Sequence, residues 1–242
     1  CQFLRFDVLV TPRPLLSLPP VSYIAANDCF SAILTKSGYV YTWGFGQYGQ
    51  NGHGNLETYE QPRRVEALEN VKHIAVANYH CAAVVGEKGY VFVWGSNQDQ
   101  NCGPSTTLLQ TTPKQVPGLY GAASVTAALQ YTAAVQHTGT TIMWGGKMFW
   151  PQRHIISLKF VYNECVLQAE AATAFMVLRT EKGNVFYVLF SANTSSMCKI
   201  RVQAANMNNR IVAMSLANNN NVVVEQVNGK LVGIGWHAQN WF

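Results

Sequence analysis

A chain of 242 residues suffices for one large domain or two small ones, and its 48% hydrophobic content is enough for a substantial core. Charged and aromatic residues each make up 12%, a balance that speaks against disorder and coiled coil and favours strands with many buried side chains. The net charge of +5 is uneven, seven Lys/Arg against eight Asp/Glu in residues 1–100 and ten against four in 101–242, but the charges stand singly and form no polybasic tract.

In chain order, residues 1–20 include a proline-rich stretch, 11–20, that reads as the tail of a preceding unit, and the chain begins with Cys1 rather than Met, as expected of a fragment of a longer protein. The apolar run Ser31-Ala32-Ile33-Leu34 follows, then the turn glycine Gly38 and Tyr39-Val40-Tyr41-Thr42-Trp43-Gly44. The same order returns as Cys81 to Val85, Gly89 and Tyr90-Val91-Phe92-Val93-Trp94-Gly95. It returns again as Thr132 to Val135, Gly139 and Thr140-Thr141-Ile142-Met143-Trp144-Gly145. Fainter versions are built around Gly183, preceded by Phe175 to Leu178, and Gly229, preceded by Val222 to Val224. The turn glycines are spaced 51, 50, 44 and 46 residues apart.

Each unit reads as strand, tight turn, strand, because a hairpin closed in a few residues needs a positive φ that glycine adopts without a Cβ clash. Tyr39, Tyr41 and Trp43 alternate with Val40 and Thr42, the period-2 pattern of a strand packed on both faces, and predict rows of rings buried between successive sheets. Ala169 to Ala174 favours a helix by propensity, but its place in the repeat predicts a strand. Gln61-Pro62 interrupts any long helix over Glu57 to Asn70. A hairpin alone is marginal in water, so a repeat of about 50 residues predicts small sheets stacked radially, an all-β propeller, with an open sandwich as the alternative. The expected organisation is a single domain over 1–242 with blade units near 21–70, 71–120, 121–160, 161–208 and 209–242.

The segment Trp43-Gly44-Phe45-Gly46-Gln47-Tyr48-Gly49-Gln50-Asn51-Gly52-His53-Gly54 resembles the signature of the regulator-of-chromosome-condensation (alpha-tubulin-suppressor-like) repeats. Trp94-Gly95-Ser96-Asn97 with Gln100-Asn101-Cys102-Gly103 is a degraded version. Gln61-Pro62-Arg63-Arg64-Val65 and Thr112-Pro113-Lys114-Gln115-Val116 resemble the proline-containing segment before the next repeat. In that family a histidine commonly precedes the hairpin; His80 keeps it, and Phe30, Tyr131, Ala174 and Asn220 stand at the apparent equivalent positions. The resemblance implies a β-propeller that commonly closes with seven blades, so about five units imply an incomplete ring or part of a longer chain's ring. It also permits guanine-nucleotide exchange on a small GTPase, the activity of the family's founding member.

Gly44-x-Gly46-x-x-Gly49 matches a dinucleotide fingerprint, but Gly52 and Gly54 argue against the helix that must follow it, and it reads as a repeat turn. His80-Cys81 has no second Cys or His at zinc-like spacing, so His80 reads as a hydrogen-bonded core histidine. No Gly-x-Ser-x-Gly elbow or activated thiol is present, and no catalytic residue, cofactor or metal is expected. The six cysteines, Cys1, Cys29, Cys81, Cys102, Cys165 and Cys198, are too widely spaced for a secreted disulfide framework and read as reduced thiols, most of them buried.

Aromatic and arginine side chains favour interface hot spots, which makes Trp150 and Arg153, where the repeat motif is lost, and Tyr48, His53, Arg63 and Arg64, in the long loop of the best repeat, the candidate interaction residues. No run approaches the roughly 18 apolar residues of a membrane span. The sequence therefore predicts an intracellular, cytoplasmic, non-enzymatic scaffold. Its expected partners are proteins, a small GTPase or a large cytoskeletal or chromatin assembly, with no membrane and no sequence-specific nucleic acid.

Overall fold

The computed structural model describes residues 15, 18–105, 107–146, 155–158, 163–173, 175–191, 199–204, 209–218 and 221–235. Among them there is no helix, and the strands form five antiparallel sheets, each a meander in chain order. The first contains β1 (Val21–Asn27), β2 (Phe30–Thr35), β3 (Val40–Gly44) and β4 (Tyr59–Arg64). The second contains β5 (Val71–Val76), β6 (His80–Val85), β7 (Tyr90–Ser96) and β8 (Leu109–Gln115). β9 (Ala122–Ala127), β10 (Tyr131–Gln136), β11 (Thr141–Gly145) and β12 (Ile155–Leu158) form the third. β13 (Val166–Ala171), β14 (Phe175–Thr180), β15 (Val185–Ser191) and β16 (Lys199–Ala204) form the fourth. β17 (Ile211–Asn218), β18 (Asn221–Gln226) and β19 (Leu231–Gly235) form the fifth.

Alternation of side chains across each strand gives every inner blade two apolar faces, and the core lies between successive sheets. Phe30, Leu34 and Val40 of the first meet Ile74, Ala83 and Trp94 of the second. Val84, Val91 and Val93 then meet Val125, Ala134 and Trp144. Tyr131, Val135 and Met143 meet Met176, Leu178 and Phe186, and Phe175, Val177 and Val185 meet Met214, Val222 and Val224. Sheets stacked in this order around a common axis make a β-propeller. Ile74, Val125 and Met214 each point back at the preceding sheet and are buried, whereas Ile24, at the same register position in β1, is 69% exposed.

The ring rows are less buried than the sequence pattern predicts. Val40 and Thr42, Val91 and Val93, and Thr141 and Met143 are fully buried, while Tyr39, Tyr41, Tyr90 and Phe92 remain partly exposed; Trp94 and Trp144 are the rings that are sealed. The small row faces the next blade, as Val40, Val91 and Met143 do, and the large row, Phe92 and Trp94 among it, faces the previous one.

The hairpin register repeats without change. Phe30 pairs with Gly44, His80 with Gly95, Tyr131 with Gly145, Phe175 with Leu189 and Asn221 with Gly235. The histidine-equivalent residues of the last two blades are therefore Phe175 and Asn221, one place later than Ala174 and Asn220, because the shared register counts from the turn glycine.

That register also explains the Trp-Gly pair. Gly44 and Gly95 have φ of 102° and 110°, and a Cβ there would lie 2.3 Å from the Cys29 carbonyl oxygen and 2.4 Å from that of Tyr79. The close approach lets the next amide donate to the turn, Phe45 N to Cys29 O at 2.9 Å and Ser96 N to Tyr79 O at 2.7 Å. Only glycine fits such a contact at positive φ.

Two further expectations are corrected. Cys29 is disulfide-bonded; Cys81, Cys102 and Cys165 are free thiols, and Cys81 alone of these four is fully buried. Arg63 and Arg64 lie on β4 and not in the loop before it, because β4 is the outermost strand and Pro62, lacking an N–H, fits where no further strand needs a donor. Pro113 occupies the same place in β8.

Candidate functional site

The turns after β1, β5 and β9 and the loops after β3 and β7 emerge at one end of the stack, so these segments build one face. The loop of residues 45–58 is folded back on itself. Asn51 Nδ2 donates to Gly44 O at 3.2 Å and Glu57 O at 2.8 Å, and Thr42 Oγ1 donates to Asn51 O at 2.7 Å. In the second blade Asn97 does this work, its Nδ2 donating to Thr107 O at 3.0 Å and its Oδ1 accepting from Cys102 N at 2.9 Å. The Gly44 to Gly49 segment is thus a loop of turns, as its reading as a repeat turn expects, and no helix follows it.

Each of these loops is also pinned by the following blade. Trp94 Nε1 donates to Gln50 O at 2.7 Å, and Trp144 Nε1 donates to Asn101 O at 2.8 Å. Both carbonyls accept a second donor, Cys81 Sγ at 3.5 Å on Gln50 and Thr132 Oγ1 at 2.9 Å on Asn101. His80 completes the second junction. Asn101 Nδ2 can only donate, so at 2.9 Å it fixes His80 Nδ1 as acceptor; His80 Nε2–H then donates to Thr132 Oγ1 at 2.7 Å. Burial pushes the His80 pKa down to about 3, so the ring is neutral, as a core histidine should be.

Two side-chain groups face outward from this frame. Phe45 and Tyr48 have ring centroids 5.9 Å apart, and Tyr48 meets Tyr79 of the second blade edge-on at 4.6 Å. The second group centres on Tyr59. His53 stands edge-on to it at 5.0 Å, the Arg63 guanidinium lies 5.1 Å from its ring centroid, and Arg63 Nη1 donates to Tyr59 Oη at 3.0 Å. Asn55 Nδ2 donates to the same oxygen at 2.8 Å, and Tyr59 Oη donates to Glu57 Oε2 at 3.0 Å. Burial, then the charge of Arg63, lowers the His53 pKa to about 4, leaving Arg63 as the cation of the group at neutral pH.

Of the candidates read from the sequence, His53 and Arg63 are therefore brought together, and Tyr48 belongs to the neighbouring aromatic group. Arg64 is not with them: its guanidinium sits 3.9 Å over the Tyr39 ring and pairs with Glu66 and Glu69 at 3.4 and 3.2 Å. Trp150 and Arg153 lie outside the described residues. Among the described residues no three His, Cys, Asp or Glu side chains converge as metal ligands.

Models of the Regulator of chromosome condensation (RCC1) repeat match residues 37–84 and 88–135, and a second model of the same repeat matches 21–50. The chain belongs to the RCC1-repeat β-propeller family. It is 43% identical over 100 residues to the human E3 ubiquitin-protein ligase HERC2, a stretch of 40% of this chain and 2% of that protein. It is 29% identical over 187 residues to protein pim1 of Schizosaccharomyces pombe, covering 72% of this chain and 31% of pim1. The fold is similar to Prp20p of Saccharomyces cerevisiae, with TM-score 0.73 and 16% identity over 89% of this chain and 58% of that one. It is also similar to human WBSCR16, with TM-score 0.70 and 18% identity over 84% and 57%. The chain thus spans well under two thirds of each of these relatives.

Within the RCC1 repeats, Tyr59, Tyr79 and Phe45 are the face residues that the sequence did not single out. Tyr79 carried a usable signal, a large ring in the turn just before His80. Tyr59 carried none, since its role depends on β4 returning beside the loop.

Proposed function

We propose that this RCC1-repeat propeller is a non-enzymatic scaffold whose loop face binds a protein partner through the Phe45, Tyr48 and Tyr79 rings and the Arg63–Tyr59 pair. The observation that carries this reading is the division of labour on that face. Gln50, Asn51, Asn101 and His80 are consumed in holding loops and blades together, while the rings and one cation are left partly exposed on a rigid support. Rings and arginine held on a fixed backbone lose little entropy on binding. The partner is a protein, a small GTPase or a subunit of a large cytoskeletal or chromatin assembly, met inside the cell.

Site-specific photo-cross-linking tests this. A cross-linker at Tyr79 captures the partner, and one at Tyr120, exposed in the linker between β8 and β9 at the opposite end, does not. Tyr48→Ala and Arg63→Ala reduce the capture at Tyr79 while circular dichroism stays unchanged. Equal capture from both faces overturns the assignment.

A second reading, nucleotide exchange, is supported by Prp20p, which is described as binding Gsp1p and histones. Release of a fluorescent nucleotide from a panel of small GTPases, Gsp1p among them, measures it. No acceleration by the chain removes that reading and leaves the scaffold standing.

A further inference from the structure

The inner strands of all five blades, β1, β5, β9, β13 and β17, line a cavity of about 520 Å³ on the axis, and none of the loop-face rings or arginines is among its lining residues. Nine of its twenty lining residues are alanine, isoleucine or valine. Four titratable side chains line it: Tyr23, His73, Glu170 and Arg179. Glu170 is the one acid. Its Oε1 accepts from Gln168 Nε2 at 3.0 Å, and among the described residues no cation comes within ion-pair distance of it. Arg179 lines the cavity as well; its Nε donates to Gln168 Oε1 at 3.3 Å, and it makes no ion pair with Glu170. Burial holds the Glu170 carboxyl up to about 7 against the opposing hydrogen bond. Glu170 is half-buried on the cavity wall, and a carboxylate that has lost part of its water shell without gaining a counter-charge is stabilised by a cation beside it.

Tyr23 and His73, from the first two blades, supply a different wall. Their rings pack at 5.2 Å between centroids. His73 Nδ1 accepts from Val125 N at 3.4 Å, and burial lowers its pKa, so the imidazole is neutral with its proton on Nε2. Burial raises the Tyr23 pKa, and the Glu170 charge across the cavity raises it further, which places the phenol and the carboxylate on either side of one space.

We propose that the axial cavity binds an organic cation, an ammonium group such as a lysine side chain presents, with Glu170 as counter-charge and the Tyr23–His73 pair as aromatic wall. The carboxylate offers a charge-assisted hydrogen bond and the ring faces attract positive charge. An anion would meet Glu170 directly and gain only from Arg179, whose Nε is already held by Gln168.

The test titrates butylammonium chloride into the whole chain, followed by amide chemical shifts, with 1-butanol as neutral isostere and butyrate as anion. Ionisation of a carboxyl with a midpoint near 7 predicts binding about tenfold weaker at pH 6 than at pH 8. Glu170→Gln, which keeps shape and removes charge, abolishes that pH dependence and lowers affinity at pH 8 at least to the pH 6 level; Tyr23→Leu weakens binding several-fold. The proposal is overturned if butanol or butyrate binds as well as butylammonium at pH 8, if Glu170→Gln binds like the native chain, or if no probe saturates. None of the loop-face residues lines the cavity, so that outcome leaves the scaffold reading untouched.

Discussion

The first three blades and the last two are built on the same register but joined differently. Between blades one and two, and again between two and three, an indole donates to the loop carbonyl of the blade before it, and a thiol or hydroxyl donates to the same oxygen. Between blades three and four, Tyr131 stands where His80 stands, and its hydroxyl lies 2.9 Å from both Ala172 O and Phe175 O. At the fourth-to-fifth junction, Phe175 occupies that position and the contact is apolar. One position thus reaches across to the next blade throughout, while its chemistry changes from phenyl at Phe30 to imidazole at His80, phenol at Tyr131 and phenyl again at Phe175. The spatial role of the position is retained more strictly than the residue that fills it.

Removing an indole is the strongest way to break this contrast. Trp94→Ala or Trp144→Ala should cost roughly 3–5 kcal/mol in urea unfolding, and Trp43→Ala, whose side chain is only partly buried, about half of that or less. Equal losses at all three tryptophans would mean that sealing the ring against a neighbour is not what matters.

Gly95→Ala comes next. The added Cβ meets the Tyr79 carbonyl at 2.4 Å with φ at 110°, and the expected loss is roughly 2–3 kcal/mol, seen as a lowered thermal midpoint. A neutral result would show that the turn can retreat from the strand.

Acid sharpens the comparison without mutation of the apolar core. His80 has a folded pKa near 3, below the ordinary value of 6.5, so between those limits the unfolded chain binds the extra proton. Stability contributed by the neutral ring is complete above about pH 6.5 and declines toward pH 3, by about 1.4 kcal/mol per pH unit once well below the upper limit. His80→Phe should flatten the slope by that amount while lowering stability at pH 7, because Asn101 and Thr132 lose their partner. Unfolding measured at pH 6 and pH 4.5 checks both signs.

The smallest effect is expected at the face. Arg63→Ala should change stability by no more than about 0.5 kcal/mol, since its side chain is exposed and its contact is to one tyrosine. A larger loss would move Arg63 from the binding surface into the frame.

The repeat was legible because turn glycines and Trp-Gly pairs are demanded by backbone geometry, which tolerates few substitutes. All five central hairpins, the strand at Ala169 and the core role of His80 could be read this way. The inner and outer strands were harder, since β4 and β8 carry prolines and little apolar alternation and are defined by the neighbour they pair with. At the site, Tyr48, His53 and Arg63 were visible as residue types, but the grouping around Tyr59 and the separation of Arg64 depend on where β4 lies. Cys29 was misread because the spacing of the six cysteines carries no signature of its disulfide.

The pinning of each loop by the following blade bears on how the chain is made. Gln50 leaves the ribosome about forty residues ahead of Trp94, so the surface that carries Tyr48 and His53 is born unlatched and closes only when its successor arrives. Fastening of the first two loops runs one blade behind translation, and a synthesis halted after the second blade leaves the loop of Asn101 open while that of Gln50 is already held.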